Sequence, residues 1–123
     1  MARYVDGFVL PVPKRKVEAC RRIARIACRV WLDHGALDYV EAVADDVKPG
    51  KWTSFPQSVK LKKGETVVFA YIVYKSRRHR DRVNAKVMKD KRFDGMGPGD
   101  MPFDMKRMIF GGFKAIVEAQ GRK

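Results

Sequence analysis

Thr66-Val67-Val68-Phe69-Ala70-Tyr71-Ile72-Val73-Tyr74 sets apolar side chains on both parities of one run, and Lys63-Gly64 introduces it. β-branched and aromatic residues dominate the run. It therefore reads as a strand with both faces covered, where simple alternation would mark a half-buried one. Outward from it, Tyr4 to Val12 (YVDGFVLPV) is a first strand, closed by Pro11 and Pro13. Between them the period changes. Ala19, Ile23, Ile26, Ala27 and Val30 share one side of a helix, with Glu18, Arg21, Arg22, Arg25, Arg29 and Asp33 opposite. His34-Gly35 ends that helix, the glycine supplying the left-handed residue after its last turn.

Leu37 to Ala44 alternates and reads as a second strand, with Asp45-Asp46 and Pro49-Gly50 at its exit. The stretch through Trp52, Phe55 and Pro56 carries two large aromatic side chains and is expected to be an ordered loop or short edge strand that packs on something. Beyond Tyr74, Ser76 offers an N-cap. Val83, Val87 and Met88 then form the inner side of a second helix, with Arg78, Arg82, Lys86 and Lys89 outside and an end near Asp90. A glycine-rich loop, Gly95 to Pro102, leads to a last strand from about Arg107 to Glu118, with a bulge expected at Gly111-Gly112.

The resulting order, βαββαβ, predicts an α+β, ferredoxin-like fold: a four-stranded antiparallel sheet with two helices on one face, in a single domain over residues 1–123. That architecture leaves the second sheet face bare, whereas the Thr66–Tyr74 strand needs both faces covered. A twofold-related copy is the natural cover, so a homodimer is expected.

Composition agrees with one folded core: the chain has 123 residues, 46% hydrophobic and 11% aromatic. No apolar run is long enough to span a bilayer and no basic-then-apolar segment opens the chain, so a cytoplasmic protein without a membrane partner is expected. Cys20 and Cys28 lie eight residues apart in one helix, a rise of about 12 Å that no disulfide bridges. His34 and His79 stand far apart, and the ligand spacings of a zinc site are missing. GMGPG at Gly95 to Gly99 lacks the strand and spacing of a nucleotide fingerprint, and no phosphate loop, HExxH or GxSxG occurs. No metal and no cofactor is expected. Cofactor-free chemistry and haem stay open only by analogy of fold.

The blocks YVDGFVLPVP (Tyr4 to Pro13), DHGALDY (Asp33 to Tyr39), TSFPQ (Thr53 to Gln57), ETVVFAYIVYKSRRHRD (Glu65 to Asp81), NAKVM (Asn84 to Met88) and MPFDMKRMIFGGF (Met101 to Phe113) together resemble the YbaA-like bacterial family, whose function is unknown. The likeness spans nearly the whole chain. It implies a dimeric α+β barrel, an architecture shared by small monooxygenases, certain isomerases and haem-degrading enzymes, and it implies no particular activity.

Two polar residues are aimed at covered faces. His79 precedes Val83 by four residues, which turns it toward the core stripe at the start of the second helix. A neutral imidazole there could act as acid or base, or could simply bond backbone and pack. Asp6 shares a strand face with Tyr4 and Phe8. It reads as a site carboxylate, as one half of an ion pair with Arg3, Lys106 or Arg107, or as an exposed edge position. His34 is explained by capping. Tyr39, Tyr71, Tyr74 and Trp52 could line a pocket for a planar ligand, or be core. Met101 to Asp104, beside the glycine-rich loop, reads as a lid that would place Asp104 at the pocket, or as a loop closing the dimer.

The net charge of +13 calls for a separate reading. Sixteen of the twenty-seven basic residues lie in Lys14 to Arg29 and Lys75 to Arg92, the two helices and their ends. Phosphate contacts there would give salt-sensitive, unspecific binding of nucleic acid or another polyanion. No motif that reads sequence accompanies them. The reading preferred from sequence is a small-molecule pocket between sheet and helices, with catalysis left open; the alternative is a basic polyanion binder.

Overall fold

The structure is a computed structural model that describes residues 2–121. Strands β1 (Tyr4–Pro13), β2 (Asp38–Val43), β3 (Glu65–Tyr74) and β4 (Ile109–Lys114) form one antiparallel sheet in the order β2-β3-β1-β4. Helices α1 (Val17–Asp33) and α3 (Arg77–Val87) cover one face, and a one-turn helix, α2 (Phe55–Ser58), lies in the β2–β3 connection. This is the ferredoxin-like α+β arrangement. The long hairpin-like register of β1 against β3, Tyr4 opposite Tyr74 through Pro13 opposite Glu65, makes these two the central strands.

Alternation assigns the faces. Ile72 and Tyr74 of β3 pack with Val30 of α1 and Val83 and Val87 of α3, all three fully buried, while Leu10 and Val12 of β1 and Val68 of β3 pack with Cys20 of α1, and Phe8 touches both clusters. The helices start and stop where the sequence indicates. Ser76 caps α3 by accepting from the His79 N–H at 3.1 Å, and Gly35 takes φ +111° just past α1. However, α3 ends at Val87 instead of near Asp90. Asp90 caps a separate short turn, Lys91–Phe93, by accepting from the Arg92 N–H.

The second face is partly covered by the chain itself. Ser54 caps α2, Pro56 is buried, and Val59, 1% exposed, packs with Val9 and Val67. Phe55 meets Phe69 edge-on at 6.0 Å. The aromatic segment is thus ordered and packs, as a helical turn instead of an edge strand. Trp52 takes no part, being 87% exposed. The rest of this face stays open: Val40 of β2, Phe69 of β3 and Ile109 and Phe113 of β4 are 38, 43, 45 and 65% exposed.

Two expectations about β4 fail. It is shorter, because Asp104 caps a turn at Met105–Arg107 and because its partner β1 begins at Tyr4, opposite Lys114. No bulge occurs at Gly111-Gly112, whose pairing with Gly7 and Asp6 runs in unbroken register. Glycine is needed at 112 for a different reason: a Cβ there would collide with the Tyr4 ring. The two cysteines are both free thiols. No helix among the described residues is long and apolar enough to cross a membrane.

Candidate functional site

Between the sheet and α1 lies a cavity of about 460 Å³, within the range of small-molecule pockets. Its cause is side-chain size. Ala24 and Ala27 on α1 face Ala70 on β3, so three short side chains oppose where larger ones would close the gap. Phe8, Leu10 and Val12 of β1 and Val68 and Ile72 of β3 form the floor, with Cys20, Ile23 and Trp31 of α1 above them. The roof is the segment after α3: Met88, Phe93, Met96, Met101, Phe103, Met105 and Met108. Five of the chain's six methionines therefore line one cavity, and their flexible thioethers make an adaptable wall.

An arginine clamps the roof at each end. Arg92 holds Asp90 through two of its nitrogens and reaches Asp33 at the end of α1 at 2.8 Å, while His34 Nε2 lies 2.8 Å from Asp90. Arg107 grips both carboxylate oxygens of Glu65 at 2.7 and 2.8 Å and also bonds Asp104. These arginines pull the carboxyls of Asp90, Asp104 and Glu65 below their usual range.

One carboxylate faces the cavity. Tyr39 and Glu41 share the helix-side face of β2, and the Tyr39 hydroxyl donates to Glu41 at 2.9 Å. Glu41 is exposed at the cavity mouth, but the apolar walls around its carboxyl raise its pKa, only partly offset by the Tyr39 bond. Burial and the Glu41 charge raise the Tyr39 phenol in turn. Cys20, on the same wall, is pushed up to about 11 by burial, which leaves it a poor nucleophile.

The residues singled out from sequence fall in different places. Tyr39 lines the cavity. Tyr71 lies on the opposite sheet face, its ring tilted against Phe69 at 6.2 Å, because odd positions of β3 point away from the helices. Asp104 is bound into the Arg107 clamp and is not on the wall. Neither His79 nor Asp6 reaches the cavity. His79 Nδ1 accepts from the Lys75 N–H at 2.9 Å, and the ring stands edge-on to Tyr74. Its pKa is lowered by burial first, then by Lys75, Arg82 and Lys86.

Asp6, 5% exposed, does form an ion pair, but with Arg80 of α3 at 3.0 Å. Of the partners suggested by sequence, Arg3 pairs with Glu118 and Arg107 with Glu65, and Lys106 makes no ion pair among the described residues. Burial raises the Asp6 pKa against the opposing pull of Arg80, Tyr74 and Asn84. Arg80 also lies over the Tyr4 ring at 5.0 Å. Beside this pair, Trp31 Nε1 donates to Tyr74 Oη and Asn84 Oδ1, each at 3.1 Å, and the Tyr74 hydroxyl donates to the same Asn84 oxygen at 3.2 Å. Apart from Arg80 Nε, which makes no hydrogen bond and only lies 2.9 Å from Asp81, the network finds protein partners and reads as structural. Glu41 went unnoticed in the sequence. Its signal was a carboxylate at the same strand parity as Tyr39, together with methionines concentrated in 88–108.

Comparison with known proteins gives kinship without an activity. Curated relatives include the "Uncharacterized protein YbaA" of Escherichia coli strain K12 and of Shigella flexneri, each 47% identical over 116 residues, covering 94% of this chain and 98% of theirs. Among solved structures, a dimeric ferredoxin-like protein from an uncultured marine organism superposes with a TM-score of 0.56 at 10% identity, covering 97% of this chain and all of that one, which supports the fold alone. The model of the family described as "Protein of unknown function (DUF1428)" matches residues 3–105, so the chain belongs to that family, to which the YbaA resemblance had pointed.

Proposed function

We propose that this protein binds a small, largely apolar molecule in the cavity between α1 and the sheet. The observation that carries the reading is the cavity itself, a partly open cleft of about 460 Å³ lined by short alanine side chains of α1 and β3 and by five methionines. Its size and apolar lining are those of a small-molecule site. The arginine clamps at Arg92 and Arg107 make the 88–108 segment a roof fixed at both ends and adaptable between them. Whether the ligand is also converted is left to the same site: the cavity offers one acid-base pair, Glu41 and Tyr39, and no activated nucleophile among the described residues. Native mass spectrometry of the protein taken gently from its host tests the reading. A mass increment that disappears in Ala24→Phe, which fills the cavity, is expected; an identical increment in both proteins, or none, overturns it.

In the same reading the protein works as a homodimer whose open sheet faces meet, burying Val40, Phe69, Ile109 and Phe113. Sedimentation equilibrium is expected to show a dimer at micromolar concentration that Phe113→Glu dissociates; a wild-type monomer refutes it.

A second reading rests on the outer surface of the helix layer. Arg22, Arg25 and Arg29 of α1 and Arg77, Arg78 and Arg82 of α3 are exposed, and none forms an ion pair among the described residues. Such a surface suits a polyanion such as nucleic acid, bound without sequence preference. Affinity for a random duplex is expected to fall steeply between low and moderate salt. Salt-independent or sequence-selective binding refutes that account.

A further inference from the structure

Buried or largely buried carboxylates outside the cavity have an arginine beside them: Asp6 has Arg80 at 3.0 Å, Glu65 has Arg107 at 2.7 Å and Asp90 has Arg92 at 2.8 Å. Glu41 forms no ion pair among the described residues, although Arg21 of α1 borders the adjoining groove that Glu41 also lines. In a chain with twenty-seven lysines and arginines, its one hydrogen-bond partner among the described residues is the Tyr39 hydroxyl, and none of the described residues that line the cavity itself is cationic. A carboxylate accepts about four hydrogen bonds, so Glu41 keeps unused acceptor capacity toward the space in front of it. Three aromatic rings, from α1, β2 and the roof, stand close together, with Trp31 6.2 Å from Tyr39 and 5.8 Å from Phe93 between centroids. Aromatic faces beside a carboxylate are the chemistry that holds an ammonium group in an apolar site.

Building on the small-molecule reading above, we infer that the cavity's ligand is an apolar amine, with its hydrocarbon or ring body among the methionines and its ammonium group between Glu41 and the Trp31–Tyr39–Phe93 cluster. The local charge selects against carboxylates and phosphates, although the protein as a whole, at +13, attracts them. A bound ammonium would also supply the counter-charge that Glu41 lacks. Burial raises the Glu41 pKa, so the amine must compete with a proton, and affinity falls as pH drops toward that pKa.

Three probes with one ring system separate the terms: tryptamine, neutral 3-methylindole and anionic indole-3-propionate, titrated calorimetrically into the full chain at moderate salt. Tryptamine is expected to bind about tenfold tighter than 3-methylindole, with the propionate weakest. Glu41→Gln keeps an acceptor for Tyr39 and sits at an exposed position, so the fold should tolerate it. It is expected to bring tryptamine down to the level of 3-methylindole and to remove the pH dependence. If 3-methylindole binds and tryptamine gains nothing over it, the amine assignment is wrong while the cavity reading stands. If tryptamine loses nothing in Glu41→Gln, the assignment is again wrong. If none of the three binds, both readings fall.

Discussion

Replacing Arg80 by alanine tests whether Asp6 is a structural carboxylate. Asp6 is 5% exposed and its side chain sits 3.0 Å from Arg80, whose own side chain is about one-fifth exposed. Removing the guanidinium leaves a buried carboxylate with only Tyr74 and Asn84 to favour its charge. Breaking a buried pair from one side costs about 3–5 kcal/mol, and the partial exposure of Arg80 places this one near the lower end. Loss of the cation–π contact with Tyr4 adds about 0.5–1 kcal/mol.

The pH dependence follows from the direction of the shift. Burial already raises the Asp6 pKa, and without Arg80 it rises further, so the folded variant binds a proton more tightly than the unfolded chain does. Stability of Arg80→Ala is therefore greatest below the unfolded pKa and declines as pH rises through the folded one. Urea melts at pH 5 and pH 8 are expected to show the variant's deficit growing with pH, and Asp6→Asn in the same chain is expected to shrink it. A deficit below about 1 kcal/mol at pH 8, or one independent of pH, refutes the buried-pair reasoning.

Gly112→Ala, which drives a Cβ into the Tyr4 ring, is expected to cost about 1–3 kcal/mol by denaturant unfolding; a neutral result would contradict the packing there. Val83→Ala, at a position 2% exposed, is expected to cost about 2 kcal/mol in the same assay. The Glu65 pKa is lowered by Arg107, so its contribution is present above the ordinary value of 4.5 and is lost as pH falls through the folded value. Melts from pH 5 downward should accordingly steepen in the wild type and flatten in Glu65→Gln.

The strand and helix order was legible because burial acts on periodicity. The two-parity run at Thr66–Tyr74 became the central strand β3, and the arginine-faced helix became α1. Termini were less legible, since α3 and β4 end where Asp90 and Asp104 bond local N–H groups and capture arginines, which depends on three-dimensional neighbours. The partner of Asp6 was hidden for the same reason, lying seventy-four residues away on α3. The cavity was the least legible feature. A void arises from what opposes what, and nothing in the separate patterns of Ala24, Ala27 and Ala70 says that they meet. Tyr39 and Tyr71 show the limit of composition: both are strand tyrosines, yet helix side and open side separate them.

Whether the cavity takes a ligand is decided most directly by intermolecular nuclear Overhauser contacts from bound 3-methylindole, with the methionine methyls carbon-13 labelled. Contacts from the indole ring to Met96, Met105 and Met108 and to the Trp31 ring are the predicted result. Contacts confined to Phe69, Ile109 and Phe113 would place the molecule on the open sheet face and contradict the account.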